Sequence, residues 1–182
     1  TPELKEELGL PDGSQKVLNF RISQVRIVGA TVVEEERIAA QFDDLLDREI
    51  TAAQLRASLD RANQLYTDAG YALGRAYIPV QVVQGDTLIV RVVEGFVGRI
   101  NITADDPAVR HMIEEFSRQI VSEKPLRSST LERYLLLIND IPGITLGGKL
   151  TGMNVYTGSA TLALTAESEK VTISTAVDNR AN

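Results

Sequence analysis

Residues 51–95 read TAAQLRASLDRANQLYTDAGYALGRAYIPVQVVQGDTLIVRVVEG, and a change of period inside this stretch decides the fold. Thr51 stands three residues before Gln54, the spacing of a capping box, in which two side chains satisfy N–H groups at a helix start. Leu55, Leu59, Ala62, Tyr66 and Ala69 then fall at helical intervals and draw one continuous apolar stripe. Gly70 stops that helix, because glycine enters the left-handed C′ conformation without steric cost. Beyond it the period drops to two. Ile78, Val80 and Val82 share one face of a strand, and Leu88, Val90 and Val92 share a face of the next. Gln84-Gly85-Asp86 joins the two as a hairpin loop. Pro79 cannot donate to a ladder, so its strand lies at the edge of a sheet or the proline stands at its start.

Upstream, the stretch from Phe20 to Val28 alternates apolar and polar residues and predicts a half-buried strand ending at Gly29. Thr31 and Glu34 repeat the capping-box spacing, and Ile38, Phe42 and Leu45 follow on one face, which predicts a helix over about 32–47. Residues 1–17 are polar, with Gly9, Pro11, Asp12, Gly13 and Ser14 close together, and read as a linker or tail. The order is strand, helix, helix, strand, strand.

That order then recurs. Val97, Ile100 and Ile102 repeat the spacing of Ile22, Val25 and Ile27, 75 positions on. Asp106-Pro107 caps a helix carrying Met112, Ile113, Phe116 and Ile120, and Lys124-Pro125 interrupts it. Ser129 and Glu132 make a third capping-box spacing, 78 positions after Thr51 and Gln54. The helix through Leu131, Leu135 and Ile138 stops at Pro142-Gly143, and strands are expected at 144–151 and 160–166. A last segment, Val171 to Val177, alternates apolar residues with Thr and Ser, a pattern that suits a barrel wall. The repeat divides the chain into a tail (1–17), two units (18–96 and 97–168) and a final strand start (169–182).

Composition narrows the chemistry. The 182 residues are 43% hydrophobic and 24% charged, as in globular proteins. With 19 Lys and Arg against 25 Asp and Glu, the formal charge of −6 makes nucleic acid an improbable partner. There is no Cys and one His, so thiol catalysis, disulfides and most multi-His metal sets are excluded. No apolar run approaches the roughly 20 residues of a membrane helix. The chain opens on Thr1, without an initiator Met, and is expected to be a processed chain or a piece of a longer one.

Specific residues carry a family resemblance. Tyr66-x-x-x-Gly70-Tyr71, then Ala76-Tyr77-Ile78-Pro79-x-Gln81, Gly85, and Leu88-x-Val90-x-Val92-Val93-Glu94-Gly95 resemble the first POTRA (polypeptide-transport-associated) domain of haemolysin secretion/activation transporters. These are the outer-membrane partners of two-partner secretion, within the outer-membrane assembly superfamily. Leu136-x-x-Asn139-Asp140-Ile141-Pro142-Gly143 and Gly158-x-x-x-Leu162 resemble the second domain, and Val177-Asp178-Asn179-Arg180 the opening strand of the barrel. Two departures stand out: Asp47 precedes Arg48 where the family often has Gly, and Ala181-Asn182 follows Arg180 where Gly is common.

The resemblance implies an α+β fold: two tandem POTRA domains, each β-α-α-β-β, with a three-stranded mixed sheet and two helices on one face, plus the truncated start of a transmembrane β-barrel. It implies a soluble arm on the periplasmic side of the bacterial outer membrane, reaching the membrane only through its own C-terminal barrel. The partner would be a secreted, unfolded polypeptide handed on to the pore without catalysis, cofactor or metal. An assembly factor for outer-membrane proteins and a purely structural periplasmic scaffold are the alternatives.

Two candidate polypeptide-binding features follow. One is the edge strand Tyr77 to Val83, with Tyr77, Ile78, Pro79, Val80, Gln81 and Val82 offering unpaired backbone groups for strand addition. The same edge could equally be one that Pro79 protects from aggregation. The other is a groove lined by Leu59, Tyr66 and Ile78, residues whose periodicity also suits a core. Glu34-Glu35-Glu36 is explained by the helix dipole. Asp43-Asp44 and Glu114-Glu115 are adjacent on helices and point apart, which suits no paired-carboxylate chemistry, and His111 near Asp105-Asp106 reads as a surface group.

Overall fold

A computed structural model of the chain describes residues 17–18, 21–81 and 86–168. The tail up to residue 16, Phe20, Val82 and Val83, the Gln84-Gly85 turn and the expected barrel strand beyond 168 lie outside the described residues. β1 (Val17–Leu18), expected partly in the linker, pairs antiparallel with β3 (Ile50–Thr51). The first unit then contains β2 (Gln24–Val28), α1 (Glu35–Ala39), a 3-10 segment (Ala40–Leu45), α2 (Ala52–Asp68), β4 (Gly74–Tyr77) and β5 (Thr87–Glu94). Its sheet has β5 in the centre, parallel to β2 and antiparallel to β4. The second unit repeats this with β6 (Phe96–Ala104), α3 (Pro107–Ser122), α4 (Ser128–Asn139), β7 (Ile144–Thr151) and β8 (Ser159–Ser168). There β8 is central, parallel to β6 and antiparallel to β7. The fold is α+β with two three-stranded mixed sheets.

Each sheet builds its core from the alternating face of its central strand. Leu88, Val90 and Val92 of β5 are buried against Ile38, Phe42 and Leu45 and against Leu55, Ala62 and Tyr66 of α2. Leu162, Leu164 and Ala166 of β8 pack in the same way with Ile113, Ile120 and Ile138. The Thr51–Gln54 capping box forms, and Gly70, at φ 81°, ends the last turn of α2. Asp106 accepts from the N–H of Ala108 at 2.8 Å and starts α3 with Pro107 in its first turn.

Two helices depart from expectation. The first does not run over 32–47. α1 is five residues long, its N-cap is Glu34 without a side-chain cap, and the chain tightens into 3-10 geometry after Ala39. Phe42 and Leu45, three apart, are both fully buried, and three residues per turn brings such a pair onto one line. The segment then closes at Asp47, whose φ of 57° is left-handed. This explains the departure from glycine there, since Asp is one of the few residues that tolerate this region. The N–H of Asp47 donates to the carbonyl of Ile22 at 2.7 Å.

The second departure is α4. The Ser129–Glu132 box does not form, because the helix begins at Ser128 with Arg127 as an N-cap whose side chain does not cap the helix. A helix start leaves N–H groups without partners, and the first unit supplies one. The Ser128 N–H donates to the Gly70 carbonyl at 2.8 Å, and Ser128 Oγ accepts from the Ala72 N–H at 3.2 Å. Leu126 N–H donates to Gly95 O at 3.0 Å, Arg127 Nε to the Tyr71 hydroxyl at 3.2 Å, and Leu73 packs into the second core. Gly95, between β5 and β6, passes so close to Leu73 that a Cβ would lie 2.7 Å from both its Cβ and its carbonyl oxygen. Gly95→Ala should therefore destabilise the chain by about 1–3 kcal/mol in urea unfolding. It should also speed hydrogen exchange at Leu126 more than at Leu88 in the first core.

Candidate functional site

The edge of the first sheet is shorter than its sequence suggests. β4 ends at Tyr77, and residues 78–81 are not strand. The register pairs Ala76 with Val92 and Tyr77 with Arg91, so two further residues would set Pro79 opposite Ile89. Proline has no N–H to complete that pair. The side chain of Gln81 takes over: its Nε2 donates to Ile89 O at 2.8 Å, and its Oε1 accepts from Ile89 N–H at 2.9 Å. A primary amide carries one donor and one acceptor in the geometry of a peptide group. The Pro79-x-Gln81 spacing thus replaces one rung of the ladder by a side chain. Of the strand expected from 77 to 83, the described residues 78–81 are therefore not strand.

The outer side of β4 is also partly closed. Gly74 N–H donates to Tyr71 O at 2.8 Å, and Ala76 N–H to Asn63 Oδ1 of α2 at 2.7 Å. Both N–H groups that turn away from β5 are therefore taken. What the edge offers is apolar surface: Val80 is 67% exposed, with Tyr77 and Ile78 half-buried. Tyr66 is fully buried in the core and lines no surface, while Ile78 and Leu59 pack on that core's margin. Pro79 and Gln81 are half-buried, and Val82 lies outside the described residues.

Tyr66 instead reaches Glu94, the last residue of β5. Its hydroxyl donates to Glu94 Oε1 at 3.1 Å. The same oxygen accepts from the N–H groups of Thr31 at 2.7 Å and Val32 at 2.9 Å, and Oε2 accepts from the Thr31 hydroxyl. Thr31 is thus engaged by Glu94 and not by the expected box with Glu34. Burial pulls the Glu94 carboxyl upward, but the bonds from Thr31, Val32 and Tyr66 outweigh it and hold the group below its ordinary value of 4.5. Burial, followed by the charge of Glu94, pushes the Tyr66 phenol up from its ordinary value.

Residues 20–95 match the family model of the POTRA domain, ShlB-type. The first unit is a POTRA domain. Over 169 residues the chain is 22% identical to the heme/hemopexin transporter protein HuxB of Haemophilus influenzae, covering 91% of this chain and 30% of HuxB. Among solved structures, CdiB from Escherichia coli superposes with a TM-score of 0.67 at 22% identity, covering 90% of this chain and 30% of CdiB. The POTRA1-3 region of Omp85 from Anabaena gives 0.61 at 15% identity, covering 83% and 66%. The chain spans about a third of the length of HuxB and CdiB. The CdiB likeness runs through both sheets, so the second unit shares the POTRA fold.

The remaining sequence candidates are scattered over the surfaces of the two units. Asp44 pairs with Arg61 at 2.9 Å, and Arg61 also donates to Gln41 O at 2.6 Å, which ties α2 to the 3-10 segment. His111 is exposed on α3, its Nε2 3.9 Å from Glu115 Oε1. No group of three His, Cys, Asp or Glu that could hold a metal occurs among the described residues. Sequence reasoning missed Asn63 and Glu94 as edge and corner residues. Their signal was an amide on the stripe margin of α2 and a carboxylate closing a buried strand.

Gln81→Ala should uncover the Ile89 amide, destabilise the POTRA domain by about 1–3 kcal/mol and accelerate exchange at Ile89 selectively. Glu94→Gln tests the corner by pH. Because the native carboxyl titrates below its unfolded value, its stabilisation is complete above about pH 4.5 and is lost as pH falls through the native pKa. The wild-type stability curve from urea midpoints should drop over that acid window, and the Gln variant should be flatter there.

Proposed function

We propose that this chain is the polypeptide-receiving arm of an outer-membrane protein-secretion transporter, lying on the periplasmic side and feeding a β-barrel beyond the described residues. The family match of the first unit and the likeness to HuxB and CdiB support that setting. The observation that carries the capture step is the apolar strip at the end of β4, where the ladder stops and Val80 stands 67% exposed next to the half-buried Tyr77 and Ile78. An unfolded exported chain presents apolar side chains that this strip can bury.

With Gly74 and Ala76 N–H already bonded, capture at this edge depends on side-chain contact at 77–80 more than on a full added strand. The site is polypeptide-binding, centred on Tyr77, Ile78 and Val80, with Pro79 and Gln81 shaping the chain between them. Bonds from Leu126, Arg127 and Ser128 across the junction keep the second unit in a set position, so a captured segment is aimed in one direction. The mechanism is non-covalent throughout.

Titrating isotope-labelled chain with unfolded fragments of an exported protein should shift amide resonances along 77–81 and α2. Val80→Asp should weaken that binding about fivefold, the worth of one partly buried apolar side chain, while leaving stability unchanged. Absence of shifts well above micromolar fragment would remove the capture site. Stronger binding of unfolded outer-membrane barrel precursors than of exported fragments would transfer the role to assembly.

A further inference from the structure

One face of α3 changes its chemistry along its length. Arg110, Glu114, Ser117 and Val121 recur at helical intervals and line a cavity of about 680 Å³, with Ile100 and Ile102 of β6 on its other wall. That volume lies within the range of about 300–1,000 Å³ that small-molecule sites occupy. From the start of the helix the stripe offers a cation, an anion, a hydroxyl and an apolar group, spread over about 16 Å.

Arg110 and Glu114 stand four residues apart, a spacing at which opposite charges on a helix commonly meet. Here they do not. Arg110 Nη2 donates to Ala104 O at 3.3 Å, which draws the guanidinium toward the start of the helix and away from Glu114. Among the described residues neither side chain has an ion-pair partner, and both are exposed. Arg118, also on the lining, is held by Glu115 at 3.0 Å. Further along, Ser117 is 3% exposed and its hydroxyl has no hydrogen-bond partner. Buried hydroxyls are nearly always paired, so an orphan in a cavity wall marks a place for a polar atom from outside. Val121, Ile100 and Ile102 are half-buried and give the rest of the cavity an apolar lining.

We infer that this cavity binds a small zwitterionic amphiphile of the acylated amino-acid type. Its carboxylate meets Arg110, its ammonium meets Glu114, its amide or ester carbonyl accepts from Ser117, and its acyl chain lies on Ile100, Ile102 and Val121. A purely anionic amphiphile would suit Arg110 and be repelled by Glu114, and a cationic one the reverse. Only a head with both signs answers both. The anion site is outermost, so a head ending in a carboxylate fits better than a phosphoethanolamine head, which ends in an ammonium. The site stands on a different sheet from the 77–81 strip and does not rest on the capture reading.

The test titrates Nε-decanoyl-lysine, kept monomeric, into the isotope-labelled chain, beside decanoyl-cadaverine, which lacks the carboxylate, and N-decanoyl-aminohexanoate, which lacks the ammonium. The lysine derivative should shift amides over 100–102 and 110–121, and each one-charge analogue should bind about fivefold more weakly. Nε-octanoyl-lysine, two CH₂ groups shorter, should bind about tenfold more weakly. Glu114→Gln should weaken the lysine derivative about threefold and strengthen the aminohexanoate, and Arg110→Gln should weaken both. Both positions are exposed, so urea midpoints should not move. Ser117→Ala should weaken all three ligands about threefold by removing the hydroxyl. Equal affinity of the three heads, tighter binding of lysophosphatidylethanolamine, shifts confined to 74–81, or no shifts at millimolar ligand would overturn the proposal. Val80→Asp should leave these shifts in place while weakening capture of unfolded fragments, so the two sites fail separately.

Discussion

The carboxylate of Glu94 holds together three parts of the first POTRA domain that have no local reason to meet. It gathers the chain entering α1 through Thr31 and Val32, the end of α2 through Tyr66, and its own strand β5. Each of these donors would otherwise be a polar group at the margin of an apolar core, where an unmade bond costs more than a made one gains. Because α1 is short and its N-cap makes no side-chain bond, the start of that helix depends on this remote acceptor. The same residue ends the central strand one position before Gly95. The corner that closes the first domain is therefore also where the second begins.

The junction uses the same economy. The start of α4 could have been capped from within by Ser129 and Glu132, which have the right spacing. The helix begins two residues earlier instead, and its first N–H is satisfied by Gly70 of the other domain. A helix terminus that takes its partner from a neighbour cannot leave that neighbour without exposing an orphan donor. Gly95 adds a steric lock, since the backbone there passes against Leu73, which itself packs into the second core. Orientation of the two domains follows from hydrogen bonds and close backbone contact, with little help from a linker.

Local periodicity made most elements legible. α2 carries its stripe, its Thr51 cap and its Gly70 stop within twenty residues, and α3 is announced by Asp106-Pro107. What escaped was whatever depends on partners far along the chain. Thr31 and Glu94 are 63 positions apart, so the helix-start signal at Thr31 was assigned to the nearby Glu34. Buried residues at a spacing of three, Phe42 and Leu45, look helical in sequence but select 3-10 geometry once both must reach one core. The alternation through Ile78, Val80 and Val82 looks like strand, yet the ladder stops at Tyr77 because the next rung would need an N–H from Pro79. The candidate site was therefore legible in its residues and misjudged in its backbone.

Edges remain the organising problem of a three-stranded sheet, because two of its three strands always have an open side. The first domain answers with side chains: Asn63 covers the outward N–H of Ala76, and Gln81 covers Ile89 where the ladder ends. Both are neutral amides, which match a peptide group in donor and acceptor but are tethered by flexible stems. Such covers suppress pairing between copies of the chain without sealing the edge permanently. The second domain leaves β6 uncovered and sets a partly charged cavity beside it. An open strand edge invites unspecific pairing unless its neighbourhood discriminates.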